Sequence, residues 1–113
     1  MPSKAKRLPT SFEQRVYDRI STIPKGKVTT YKLLAKALNC NSAQAIGQAL
    51  KRNPYAPDVP CHRVIRSDFT LGGYAGKTQG AKIHKKLKLL AEENIKFDSS
   101  GTLLDKEIKI YSF

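Results

Sequence analysis

The sequence predicts a mostly helical single domain with short strands, arranged as a winged helix-turn-helix-like unit. Three observations carry that reading. Apolar residues recur at helical spacing in several separate segments. Two of those segments are short and are joined by a tight polar turn at Asn39-Cys40-Asn41. A turn-forming stretch, Asp68 to Gly73, lies between two short runs that would pair as strands and form a wing beside the helix pair.

The elements follow in order. Met1 to Pro9, within a basic leader set at residues 1–10, is expected to be mobile. Ser11 would cap a helix to about Ile20, because Phe12, Val16 and Ile20 recur at spacing four. Gln14, three residues on, would complete a capping box. Pro24-Lys25-Gly26-Lys27 reads as a turn. Thr29 or Thr30 would cap a second helix, Tyr31 to Leu38, with Leu33, Leu34, Ala37 and Leu38 on its apolar side. Ser42 opens a third, through about Arg52, with Ala45, Ile46, Ala49 and Leu50 inward; Asn53-Pro54 ends it, since a residue before proline disfavours helical dihedrals. Gly47 inside that helix costs about 1 kcal/mol against alanine and suits a place where another backbone packs close. Ala81 to about Asn94 is the last long helix, with Ile83, Leu87, Leu90 and Ala91 inward and Lys82, Lys85, Lys86 and Lys88 largely outward. Residues 95–113 read as a small hairpin: Ile95 to Phe97, a turn at Asp98 to Gly101, and a second run ending at Ile108 to Tyr111. Residues 11–94 are the expected functional domain.

Composition narrows the partners. A chain of 113 residues with 40% hydrophobic content can bury one modest core. Its 21 lysines and arginines against 9 acids give a formal charge of +12. Such a field draws in polyanions, and nucleic acid is the commonest partner of a compact basic domain. No apolar run approaches a membrane span and the leader lacks the apolar core of a secretion signal, so no membrane partner and an intracellular place, cytoplasmic or nuclear, are expected. The cysteines Cys40 and Cys61 form no CxxC pair, and His62 and His84 are not spaced with them as a zinc site needs, so no metal is expected.

The chemistry concentrates at Pro60-Cys61-His62-Arg63-Val64-Ile65. A thiol becomes a strong nucleophile on losing its proton, a neighbouring histidine can take that proton directly or through water, and a third group usually orients the histidine. Adjacent side chains of an extended segment point to opposite faces, so Cys61 and His62 would need a tight turn or a bridging water; Pro57 and Pro60 could hold such a turn. Read alone, a Cys-His dipeptide is more often a buried apolar residue beside a satisfied polar one. Cys40 reads as structural.

This hexapeptide, preceded by Asn53-Pro54 and followed by Gly72-Gly73-Tyr74, resembles the active-site signature of the O6-alkylguanine-DNA alkyltransferases. Gly26-Lys27-Val28-Thr29-Thr30-Tyr31 resembles the family's entry to its helix-turn-helix, Ala45-Ile46-Gly47-Gln48-Ala49-Leu50 its recognition helix, and Leu89-Leu90-Ala91-Glu92-Glu93-Asn94 the helix end with its buried glutamate. The resemblance covers roughly Phe12 to Asn94 in one order. It implies single-turnover DNA repair without a cofactor: an alkyl group passes from O6-alkylguanine, in a nucleotide rotated out of double-stranded DNA bound through the minor groove, to Cys61. A monomer is expected.

Carried onto this sequence, the resemblance makes Cys61 the acceptor and His62 the group that takes the thiol proton through a water. Glu93 would hold His62, although Glu92 competes by position, and Asn53 would support the turn. Tyr31 would assist flipping and donate to the base. Val59, Cys61, Val64, Tyr74 and Ala75 would line the guanine pocket. Gln44, Ala45, Gly47, Gln48, Lys51, Arg52, Arg63, Lys27 and Lys32 would contact DNA; Arg63 could instead pair with an acid and pin the loop.

The sequence departs from the family pattern in places. Gln44 stands where an arginine usually enters the gap left by the flipped base, so extrusion is expected to be weaker or differently arranged. Many members carry an N-terminal domain ahead of the motif set; none is expected here. The stretch Lys77 to His84 is longer than in many relatives. The short length and the tail also resemble the alkyltransferase-like proteins, which bind the same lesions but have tryptophan in place of the cysteine. A non-catalytic lesion binder and a winged-helix regulator of undamaged DNA are the competing readings.

Overall fold

The computed structural model describes residues 8–72 and 80–113. Helix α1 (Ser11–Ile20) buries Val16, Tyr17 and Ile20. Its cap lies one residue earlier than expected: Thr10 accepts from the Glu13 amide at 3.1 Å and Glu13 reaches back to the Thr10 amide at 3.0 Å. Both Thr10/Glu13 and Ser11/Gln14 fit the capping pattern, and the charged member favours the first turn, where the helix dipole stabilises an anion.

A short strand, β1 (Thr29–Thr30), leads without a break into helix α2 (Tyr31–Leu38). Thr30 caps α2, its hydroxyl accepting from the Leu33 amide at 3.2 Å, a contribution of about 1 kcal/mol. Asn39 then takes the left-handed conformation with φ 52°, ending the helix. Ser42 caps helix α3 (Ala43–Lys51). Helices α1, α2 and α3 share one core of Val16, Tyr17, Ile20, Ile23, Leu34, Leu38, Ile46, Ala49 and Leu50, which extends to Cys61 and Val64. Two polar links tie the bundle: the Tyr17 hydroxyl makes a buried bond to the Ala49 carbonyl at 2.8 Å, and the exposed Arg15 donates from its guanidinium to the Leu38 carbonyl at 2.8 Å.

Strand β2 (Val64–Ile65) pairs in parallel with β1, Thr29 opposite Val64 and Thr30 opposite Ile65. On β1's other side Val28 bridges Ile110, its amide donating to Lys109 and its carbonyl accepting from Tyr111. This arrangement decides the site, because β1 delivers the head of α2 and β2 the residues just after Cys61 to the same edge of the core. A second cluster, Val28, Ile65, Leu90, Ile95 and Leu103, packs behind it.

Two expectations are corrected, and a third falls partly outside the described residues. The turn of the expected wing is present, with the Phe69 amide on the Arg66 carbonyl, and it is joined by the tail, Thr70 bridging Thr102 and the Leu103 amide donating to the Phe69 carbonyl; the second run, after Gly73, lies outside the described residues. The tail pairs Phe97 with Leu103 as a hairpin would, yet its second run is a short helix, α5 (Lys106–Lys109), before Ile110 joins Val28. Helix α4 (Ala81–Glu92) ends before Asn94 and turns a different face inward: Lys86 and Leu90 are buried, Ile83 and Leu89 half-buried, while Leu87 and Ala91 are exposed. The leader residues 1–7, and residues 73–79, which include Lys77 to Gln79 of the longer segment, lie outside the described residues.

Candidate active site

Residues 53–65 form the turn that the sequence demanded. Asn53 donates from Nδ2 to the Val59 carbonyl at 2.8 Å and accepts at Oδ1 from the Tyr55 amide at 3.0 Å. The Val59 amide closes onto the Tyr55 carbonyl, and the Cys61 amide onto that of Val59 at 2.9 Å. Asn53 thus braces both ends of the loop that presents the thiol. Cys61–Arg63 is a single 3₁₀ turn, not an extended segment, which removes the objection that Cys61 and His62 must face apart. Cys61 is 8% exposed and His62 3%.

His62 Nε2 lies 2.9 Å from Glu93 Oε2, while His62 Nδ1 is buried and has no hydrogen-bond partner among the described residues. Glu93 is the hub of this cluster. Arg63 donates from Nε to Oε1 at 2.8 Å and from Nη2 to Oε2 at 2.9 Å, a two-pronged pairing, and from Nη1 to the Ile23 carbonyl. The Gly26 amide adds a bond to Oε1 at 3.0 Å. Gly26 has φ +91°, which the turn at Pro24–Lys27 requires to bring that amide round. Glu92 is exposed, so the choice between the two glutamates falls to Glu93.

The electrostatics follow from this packing. Burial would raise the Glu93 pKa, but the bonds from Arg63, His62 and Gly26 overcome it and bring the carboxyl down to about 2. Burial pushes His62 below its ordinary value, against the pull of Glu93. The imidazole is therefore held neutral, with one nitrogen on Glu93 and the other able to accept a proton. Tyr31 packs against the Cys61 cluster, and its pKa is raised by burial and then by the Cys61 charge, so its hydroxyl stays protonated. Among the described residues no group of His, Cys, Asp and Glu side chains could hold a metal ion.

The sequence profile of a family described as 6-O-methylguanine DNA methyltransferase, DNA binding domain, matches residues 11–95. The chain belongs to this methyltransferase family. It is 40% identical over 102 residues to the methylated-DNA–protein-cysteine methyltransferase of Candida glabrata, covering 89% of this chain and 47% of that protein. The chain spans about half the length of the curated relatives it matches. Among solved structures, Mycobacterium tuberculosis OGT in complex with DNA superposes with a TM-score of 0.69 at 39% identity, covering 77% of this chain and 51% of that one. Schizosaccharomyces pombe Atl1, in complex with damaged DNA containing O6-carboxymethylguanine, reaches 0.75 at 30% identity, covering 95% and 100%.

The methyltransferase-family fold places the remaining expected residues as follows. Gln44, Gln48, Lys51 and Arg52 are exposed on or just after α3, with Ala45 and Gly47 half-buried beside them. A side chain added at Gly47 would meet nothing within 4 Å, so among the described residues no other backbone packs close against it. Arg52 also lies 3.6 Å from Glu13. Lys32 is exposed, whereas the Lys27 ammonium donates to the Ile108 carbonyl. The Arg63 guanidinium bonds Glu93 and the Ile23 carbonyl, the arrangement of the loop-pinning alternative. Val59 is half-buried and Val64 fully buried. Tyr74 and Ala75 lie outside the described residues.

One buried charged residue escaped the sequence. Lys86 is 1% exposed, its Nζ donating to the carbonyls of Val64 at 3.0 Å and Leu71 at 2.8 Å. The available signal was its spacing: Ile83, Lys86 and Leu90 share one helical stripe, and only the residue type argued against burial.

Proposed function

We propose that this chain repairs DNA by moving an alkyl group from O6-alkylguanine onto Cys61, once per molecule. The observation that carries the reading is the thiol on a braced 3₁₀ turn whose next residue, His62, lies 2.9 Å from Glu93 through Nε2. The Cys61 proton passes through a water to His62, whose positive charge Glu93 stabilises. The thiolate attacks the alkyl carbon: a sulfur–carbon bond forms, the carbon–oxygen bond breaks, and its electron pair stays on the guanine, which takes up a proton. Tyr31, kept protonated, is the donor toward the base. The acceptor is consumed, since nothing in the step regenerates the thiol.

Reaching that carbon requires the nucleotide to leave the stack, at a cost of a few kcal/mol. The small face of α3 at Ala45 and Gly47 suits close approach to a minor groove, and Lys32, Lys51 and Arg52 suit its phosphates. Gln44 then sits where the extruded base leaves its gap. If it fills that gap, Gln44→Arg speeds transfer from duplex DNA and Gln44→Ala slows it, with both equal to the parent on single strands. Equal rates for all on duplex would remove Gln44 from extrusion.

The deciding experiment is intact-mass and peptide mass spectrometry after incubation with duplex DNA carrying O6-methylguanine. We expect one added methyl, on the Cys61 peptide and not on Cys40. Absence of any mass gain, with lesion binding intact, would instead support the binding-only reading, which the full-length likeness to Atl1 keeps in view.

A further inference from the structure

We infer that the head of α2 and the C-terminal tail together build a seat for one unpaired nucleotide of single-stranded DNA, next to the nucleotide presented to Cys61. This inference rests on the DNA binding proposed above and adds a subsite to it. β1 and β2 pair up to Thr30 opposite Ile65, and beyond that register one chain enters α2 and the other the turn from Arg66 to Thr70. The Lys32 amide donates to the Ser67 hydroxyl at 3.1 Å, which fixes the two chains side by side after the strands end. The tail closes the third side, because the bridge from Ile110 to Val28 carries α5 onto the same edge. Between these segments lies a cavity of about 490 Å³, whose lining includes Lys32, Leu33, Ser67, Phe69, Lys106 and Ile110. Its size falls within the range of about 300–1,000 Å³ in which proteins hold small ligands.

The lining dictates what fits. Leu33, Phe69 and Ile110, all half-buried, give the cavity apolar walls. Its charged lining among the described residues is lysine alone, Lys32 and Lys106, both exposed. The Lys106 ammonium lies 5.0 Å from the centre of the Phe69 ring, so a cation is held directly on the apolar wall. An occupant must therefore join an apolar body to an anion. A nucleotide does so, its base on the walls and its phosphate between the two ammoniums. A carboxylate side chain lacks the apolar body, and a hydrocarbon chain lacks the charge. Continuity with the proposed DNA track selects the strand: Lys32 is one of its phosphate contacts, and the preceding residue, Tyr31, packs against the Cys61 cluster. In a duplex the neighbouring base is paired and stacked, and freeing a second base adds to the cost of extruding the first. In a single strand that base is free to enter. The matched family residues end at 95, so Lys106 and Ile110 add walls that those residues do not supply.

The test uses two lesion-free probes, a short fluorescein-labelled oligothymidine strand and a labelled hairpin duplex, read by fluorescence anisotropy on the full chain. Phe69→Ala is expected to weaken single-strand binding about tenfold, the loss of one base from its aromatic wall, and to leave duplex binding unmoved. Lys106→Gln should make the slope of log affinity against log salt shallower by about 0.7 on the single strand, the share of one phosphate, and leave the duplex slope as it was. Loss of affinity on both probes alike, loss on neither, or an unchanged single-strand slope would overturn the inference. Should Phe69→Ala not fold, photo-cross-linking of the parent chain to an iododeoxyuridine-substituted strand locates the base directly. Attachment at Phe69 is expected; attachment only at other residues such as Tyr31 or Tyr55, or none at all, would overturn it. No readout involves a lesion or the thiol, so failure of transfer to Cys61 would register separately in the mass experiment.

Discussion

Cys61→Ser is expected to lower alkyl transfer at least about 10⁴-fold while leaving affinity for lesion-bearing duplex unchanged. The replacement differs by one atom at a position 8% exposed, and the Val59 carbonyl still receives the residue 61 amide, so the turn and its packing persist. What changes is acidity. A thiol is within reach of a neutral histidine as base near neutral pH, whereas an aliphatic hydroxyl is many units weaker and reacts only if deprotonated as it attacks. Alkyl carbon is also a soft centre that sulfur attacks far better than oxygen. Single-turnover kinetics with a labelled methyl group, beside a binding isotherm at fixed salt, separates the effects. Retained transfer in the serine variant, or label on Cys40, would locate the acceptor elsewhere; loss of binding alongside transfer would mean that Cys61 contributes to the pocket's shape and not only its chemistry.

What the sequence made legible was governed by local rules. Helices α1 to α3 follow from apolar spacing and from Thr30, Ser42 and Asn39 as punctuation, all within a few residues of their effect. The pairing of His62 with Glu93 beside Cys61 was legible through an ordered set of motifs, and the 3₁₀ turn through the need to bring adjacent side chains together. The features that escaped depend on distant partners. Thr70 could not be assigned to Thr102 from its own surroundings, nor Ile110 to Val28, because parallel and long-range pairing leaves no local mark. Lys86 was read outward by residue type, when its two carbonyl acceptors come from segments 15 and 22 positions away. Arg63 was left between DNA and an acid that would pin the loop, because that acid lies 30 residues on.

Glu93→Ala is expected to destabilise the fold by about 3–5 kcal/mol and to slow transfer about 10²-fold or more in whatever fraction remains folded. The carboxylate is 7% exposed and engages His62, two nitrogens of Arg63 and the Gly26 amide. Removing it strands a guanidinium that is 16% exposed and frees the imidazole to rotate. Glu93→Gln keeps the shape and one acceptor, so it should cost less stability but still remove the charge that stabilises protonated His62. Acid provides the sharper test. The Glu93 pKa falls from an ordinary 4.5 to about 2 on folding, so the unfolded chain binds more protons between those values. Stability supplied by Glu93 is therefore complete above about pH 4.5 and is lost as pH falls through about 2. His62 adds to the same trend: its folded pKa lies below the ordinary 6.5, so stability already declines as pH drops beneath that value. Urea unfolding of the parent and Glu93→Gln across this range should give curves that differ most at neutral pH and converge in acid. A gap that stays constant down to pH 2 would mean that the carboxylate's charge contributes nothing, and that Glu93 serves His62 and Arg63 as a neutral acceptor alone.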